Sequence, residues 1–254
     1  MFNLKINHAI TLNDSFIFKD NKIYKKNLYP YYANYSFELK NNQKISEAFN
    51  LGFLPNLSNW QKNNWNFPNI WEAIRSVRLN VKDYKIDYSY NNKLNKNNYK
   101  IINSRDINDS DLLNNYMSSI DDIYYKYLDY KKFNEDINFK DIKIDNDFFL
   151  LLCLNENNEL CAYDVCYQKD NILFTPGNAW DYEKPKLSIL SIFYLEEINY
   201  CIKNNINYIY TGEGYYYWGI YKSNKKGFEW WTGSEWSTDK EQYIELCKKD
   251  EEIE

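Results

Sequence analysis

Hydrophobic and polar positions fall into blocks of different period along this chain, and the second half is the more regular. Early on, "KISEAFNLGF" predicts a short helix, with Ser46 and Glu47 suited to its start. Val77, Leu79 and Val81 then alternate with polar neighbours, the period-two signature of a strand. "YSYNNKLNKNNY", from Tyr88 to Tyr99, is polar and basic and breaks the pattern, so a boundary or a connecting helix is expected there. "YKIINS" predicts a strand. In "DINDSDLLNNYMSSIDDIYYKYLDYKKF", Leu112, Leu113, Tyr116, Ile120, Ile123, Tyr124 and Tyr127 recur at helical spacing. "FFLLLCL" and "ELCAYDVCY" flank the polar turn "NENN", and "NILFTPG" follows across "KD", which predicts an antiparallel meander of three strands. "KLSILSIFYLEEINYCIKNN" predicts a helix begun just after Pro185 and closed by Asn204 and Asn205. "INYIYTG" is the last strand. The expected class is α+β, a mostly antiparallel sheet flanked by helices, with an aromatic-rich, irregular region over residues 1–98 and a larger domain over 99–254.

Composition narrows the picture. At 254 residues and 44% hydrophobic, the chain is long enough to bury a substantial core. Its most apolar run, Phe148 to Leu154, has strand length rather than membrane length, and the first residues lack the pattern of a secretory signal, so a cytoplasmic setting is expected. The five cysteines, Cys153, Cys161, Cys166, Cys201 and Cys247, show no C-x-x-C spacing, and with one histidine, His8, no metal site is expected. A Ser-His-Asp relay is not expected on the same ground. Net charge of −5 argues against indiscriminate nucleic-acid binding while leaving room for a local basic patch.

The densest chemistry follows the last predicted strand, in "TGEGYYYWGIYKSNKK". The run from "NYIYTG" into "YYYWGIYKS" resembles the end of the aminoacyl-tRNA–protein transferases of the arginyl and leucyl type. Tyr217, Trp218, Gly219, Tyr221 and Lys222, then Lys225 and Lys226, follow the family's order of aromatic turn, glycine and lysine-bearing loop. The order strand, helix, three antiparallel strands, helix, strand resembles the GNAT acyltransferase fold that forms the catalytic half of that family. The resemblance implies transfer of an aminoacyl group from aminoacyl-tRNA, as co-substrate, to an amine, with a peptide or protein N-terminus as the acceptor. It implies no bound cofactor. Members of the family carry a cysteine cluster in their N-terminal half; every cysteine here lies beyond residue 150.

Such a transfer needs a base for the attacking nitrogen, donors for a tetrahedral oxyanion and a proton for the departing ribose oxygen. Glu213, in the turn after the last strand, is the expected base, with Gly212 and Gly214 freeing the backbone around it. Tyr216 or Tyr217 would supply the leaving-group proton. Trp218, Gly219 and Tyr221 would bind substrate, as would Trp180 after the third meander strand. Asp181 and Glu183 would attract the free ammonium of an aminoacyl donor. Arg75, Arg78, Lys222, Lys225 and Lys226 are the expected tRNA contacts, the two arginines having carboxylates such as Glu72 as the competing partner. Two alternatives stay open. An acyl-coenzyme A donor is disfavoured by the lack of a glycine-rich loop before the second long helix and by the charge of Asp181 and Glu183, although Lys184 and Lys186 keep it in play. A non-catalytic module would instead use the loop bearing Trp230, Trp231 and Trp236 as a binding surface.

Overall fold

The computed structural model describes residues 16–21, 35–39, 45–66, 68–132, 137, 139–182 and 188–251. They form two compact units: Tyr84–Ile209 is one, and the stretches up to Asp83 and from Tyr210 onward make the other.

The Tyr84–Ile209 unit carries the legible pattern. After the short helix α3 (Asn91–Lys96) come β6 (Lys100–Asn103), α4 (Ser110–Lys131), β7 (Phe148–Leu154), β8 (Leu160–Lys169), β9 (Ile172–Trp180) and α5 (Ile189–Lys203). The strands pair antiparallel in the order β6-β7-β8-β9. Helix α4 begins where the Asp109 carboxylate accepts the backbone N–H groups of Asp111 and Leu112, and ends at Lys132, whose left-handed φ of 57° turns the chain away. It buries Tyr116, Ile120, Ile123, Tyr124 and Leu128, one stripe at three-to-four spacing. β7 is buried at every position, so it reads as a continuous apolar run rather than an alternation. β9 runs three residues beyond the predicted "NILFTPG", because Asn178, Ala179 and Trp180 keep partners on β8 in Asp164, Tyr163 and Ala162. Helix α5 starts at Ile189; residues 183–187, where its start was expected, lie outside the described residues.

The other unit contains more strand than its pattern predicts. β1 (Phe16–Asn21), β2 (Tyr35–Leu39), β3 (Phe53–Pro55) and β4 (Ile70–Ala73) form an antiparallel sheet in the order β1-β2-β4-β3. Of these, β3 and β4, with three and four residues, are too short to display a period. Helix α1 (Ile45–Asn50) is the predicted one, and α2 (Leu57–Lys62) is capped by the Asn56 side chain. β5 (Ser76–Asn80) lies between β10 (Tyr208–Glu213) and β11 (Phe228–Trp231), with β12 (Trp236–Ser237) beyond. Between β10 and β11 stand the single-turn helix α6 (Tyr216–Gly219) and a 3-10 turn, Ile220–Asn224; α7 (Lys240–Glu251) closes the chain. The aromatic richness goes largely into this core. Trp60, Trp71 and Trp230 are fully buried, and their indole N–H groups donate to the carbonyls of Asn66, Pro68 and Asp239 at 3.2, 2.6 and 2.9 Å.

Both units are α+β with antiparallel ladders, and α+β is the class expected for the chain. The order β6, α4, β7 to β9, α5, β10 is the one the acyltransferase resemblance implies.

Candidate functional site

The turn after β10 is forced by its neighbours. Gly212 sits at φ +86°, a region other residues rarely adopt. Gly214 needs to be glycine for a different reason: a Cβ there would lie 2.6 Å from the Tyr243 hydroxyl and 2.6 Å from Val77 Cγ2. Its N–H donates to the Arg75 carbonyl at 2.8 Å, and its own carbonyl accepts from Arg75 Nη1 at 3.1 Å. Two residues on, Tyr216 is held at φ 56°, which costs a bulky L-residue on the order of 1 kcal/mol or more.

A buried ion pair holds that strained backbone. Arg75 and Asp250 are 0% and 2% exposed, and the guanidinium meets the carboxylate through two bonds of 2.8 and 3.1 Å. Asp250 also accepts the Tyr216 backbone N–H at 2.9 Å. The Arg75 guanidinium lies 4.8 Å from the centre of the Tyr215 ring, whose hydroxyl accepts the Arg75 backbone N–H at 2.6 Å. Burial pulls the Arg75 pKa down, and the hydrogen bond to Asp250 with its charge more than offsets that, so the net shift is upward and the guanidinium stays charged. From α7, the Tyr243 hydroxyl donates to the Gly219 carbonyl at 2.9 Å, fixing the far end of α6.

What this scaffold displays is aromatic and charged at once. Tyr217, Trp218 and Tyr221 are 71%, 59% and 57% exposed, and the Trp218 ring leans on Tyr216 with centroids 4.7 Å apart. The Glu213 side chain is exposed at the strand end. Lys222 is half-buried and turned onto the backbone: Nζ donates to the carbonyls of Thr211 at 2.6 Å and Glu213 at 2.7 Å. Burial pushes its ammonium down to about 8, against the pull of the Glu213 carboxylate. Exposed stacking faces, a carboxylate and an amine that titrates near neutrality thus share one turn. The arrangement can hold a flat group and move a proton beside it.

The other predicted site residues are distributed unevenly. Arg75 faces the interior and is engaged by Asp250. Arg78, also buried, bonds Glu229 through Nε at 2.6 Å, and its guanidinium lies 3.9 Å from the centre of the Trp236 ring. The carboxylate alternative for these two arginines is thus the one adopted, with Glu229 and Asp250 rather than Glu72 as partners. Glu72 instead accepts from the Asn56 side chain at 2.8 Å. Lys226 Nζ donates to the Asp83 carbonyl at 2.8 Å, and Lys225 is half-buried in the loop. Trp180 and Asp181 belong to the Tyr84–Ile209 unit. Trp180 packs on Tyr127 at 4.4 Å with Lys131 Nζ 5.3 Å from its ring centre, and Asp181 is buried, its backbone N–H donating to the Cys161 carbonyl at 2.8 Å. Glu183 lies outside the described residues.

Two residues that complete the site, Tyr243 and Asp250, did not stand out in the sequence. A signal was present: Tyr243, Leu246, Cys247 and Asp250 fall at helical spacing after the capping Asp239, and Asp250 puts a carboxylate on the apolar stripe. The Tyr84–Ile209 unit holds a second buried polar feature. Asp164 on β8 is fully buried beside Glu197 of α5; burial pushes its carboxyl well above the usual carboxylate range, and the neighbouring Glu197 adds to the shift. Among the described residues no group of three or more His, Cys, Asp and Glu side chains is placed to hold a metal ion, and no helix is long and apolar enough to cross a membrane.

No protein-family model matches the sequence, and no curated protein matches it. Several solved structures are similar in part. L-PGS from Bacillus licheniformis is 8% identical with a TM-score of 0.41, over 55% of this chain and 46% of that one. The C-terminal domain (DUF2156) of a putative lysylphosphatidylglycerol synthetase from Agrobacterium fabrum is 6% identical with a TM-score of 0.43, over 59% and 49%. A GCN5-related glucosamine N-acetyltransferase region of a fungal multi-domain GH3 beta-N-acetylglucosaminidase is 9% identical with a TM-score of 0.40, over 62% of this chain and 19% of that one. The alignments thus span less than half the length of each of these chains.

Proposed function

We propose that this protein transfers an aminoacyl group from aminoacyl-tRNA to an amine, a peptide or protein N-terminus being the acceptor, and that the chemistry takes place at the turn from Thr211 to Lys222. The observation that carries this reading is that Glu213, Lys222 and the exposed rings of Tyr217, Trp218 and Tyr221 share one turn, whose backbone is held from beneath by Asp250. Unpaired bases at the end of an acceptor strand stack on such rings, each contributing about 1–3 kcal/mol. The Glu213 carboxylate takes the proton from the attacking nitrogen as the new C–N bond forms and the ester C–O bond breaks. The resemblance of residues 207–226 to the aminoacyl-tRNA–protein transferases supplies the donor class.

Binding of the purified protein to charged and uncharged tRNA across a salt series tests the reading, with coenzyme A in parallel. Salt-sensitive binding that favours charged tRNA is expected, together with transfer of a radiolabelled aminoacyl group to an amine acceptor. Glu213→Gln is expected to abolish transfer while leaving binding and the melting temperature unchanged. Saturable coenzyme A binding without tRNA binding replaces the donor; binding of neither leaves a docking surface without catalysis.

A further inference from the structure

Lys222 is misplaced for a phosphate contact. Its Nζ spends two N–H groups on the carbonyls of Thr211 and Glu213, at 2.6 and 2.7 Å. A neutral amine has two N–H groups and a lone pair; an ammonium has three N–H groups. Both backbone bonds therefore survive loss of the proton, and only the third tetrahedral direction changes character. An exposed lysine loses hydration when it is neutralised, whereas this one keeps its protein partners.

We propose that Lys222 is the proton donor to the leaving group in the transfer reaction, in the place expected for Tyr216 or Tyr217, an inference that rests on the aminoacyl-transfer reading of the same turn. The tyrosines fit the role less well: Tyr216 has its backbone locked by Asp250, and Tyr217 is largely exposed at the tip. The step balances. The acceptor nitrogen attacks the ester carbonyl and yields its proton to the Glu213 carboxylate; the C–O bond to the ribose breaks, and the departing oxygen takes the third proton of the Lys222 ammonium. The proton on Glu213 then returns to the neutral Lys222 amine, restoring both groups. The charged or titratable groups acting on Nζ are Glu213 from β10 and Cys247 from α7, both favouring the ammonium, while burial opposes them. An amine that titrates near 8 is a stronger acid than an ordinary lysine at about 10.4, which suits it to protonate an alkoxide at neutral pH.

Competitive labelling of amines with an acetylating reagent, read by peptide mass spectrometry from pH 6 to 11 on the full chain, measures the titration of Nζ directly and needs no activity. In parallel, transfer from charged tRNA is followed against pH for the unaltered protein, Lys222→Arg and Lys222→Gln; Gln retains a donor for the carbonyls, and thermal melts check that both variants fold. The expected result is half-maximal labelling near pH 8, a rate that falls above that pH, and a loss of about a hundredfold in kcat with KM for charged tRNA unchanged in both variants. Titration of Nζ above pH 10 overturns the inference whatever the transfer assay gives. Titration near 8 with full transfer by Lys222→Arg overturns it too. Lack of transfer by the unaltered protein overturns the aminoacyl-transfer reading itself, and the labelling curve separates that failure from the first.

Discussion

The two units bury charge-bearing groups in opposite ways. Under the aromatic turn, Arg75 and Asp250 are opposite charges joined by two hydrogen bonds, and Asp250 reaches on to the Tyr216 backbone. In the interior of the Tyr84–Ile209 unit, Asp164 and Glu197 are two acids side by side, and burial together with the neighbouring acid pushes the Asp164 carboxyl well above the usual carboxylate range. The first arrangement costs desolvation but fixes geometry, since each charge needs the other in one place. The second avoids burying two charges only while a proton is present, which ties that unit to pH. The ion pair underlies a turn that has to hold a strained residue.

Removing half of the ion pair should have the largest effect. Asp250→Ala leaves the Arg75 guanidinium buried without its carboxylate and is expected to destabilise the protein by about 3–5 kcal/mol, read by chemical denaturation. The paired replacement Arg75→Met with Asp250→Leu should cost far less, because no lone charge remains. A double variant as unstable as Asp250→Ala would show that the bonds to Gly214 and Tyr216, rather than the unpaired charge, dominate.

Gly214→Ala should come next. Its methyl group would enter the space of Tyr243 and Val77, an overpacking cost of about 1–3 kcal/mol. An unchanged melting temperature would mean that the turn yields more readily than the ion pair beneath it implies.

The acid pair gives a smaller effect, visible as a slope. Because Asp164 binds its proton more tightly in the folded chain than the about 3.9 of an unfolded aspartate, its contribution is fully present below that value and is lost as pH rises through the folded pKa. Melting temperature should therefore decline from about pH 4 upward, with Asp164→Asn flattening the decline. Equal slopes in the two proteins would remove Asp164 as the titrating group. The smallest effect is expected from Tyr216→Gly, where relief of the left-handed backbone offsets the lost ring contact with Trp218, leaving stability within about 1 kcal/mol.

The unit that was easiest to read from sequence is the one built from local pattern. The stripe of α4, the apolar run of β7 and the polar turns between β7, β8 and β9 each announce themselves within about twenty residues. The aromatic turn was visible as composition, and Glu213 and Gly212 were legible as the end of a strand. Its support was not. Arg75 and Asp250 are 175 positions apart, and the pairing of β5 with β11 joins Val77 to Trp230, so no local period displays them. The direction of Lys222 was equally hidden. Lysine after an aromatic turn reads as a surface cation until the carbonyls of Thr211 and Glu213 are seen to face it.

One consequence concerns how the site can be watched. Of the eight tryptophans, only Trp218 is exposed; Trp180 and Trp236 are half-buried and the other five are buried. The chain therefore carries an optical probe at its own aromatic turn. Collisional quenchers such as iodide or acrylamide will reach Trp218 first, and excitation at the red edge will select it. Any molecule that covers the turn will announce its arrival as a loss of quenching, without a label.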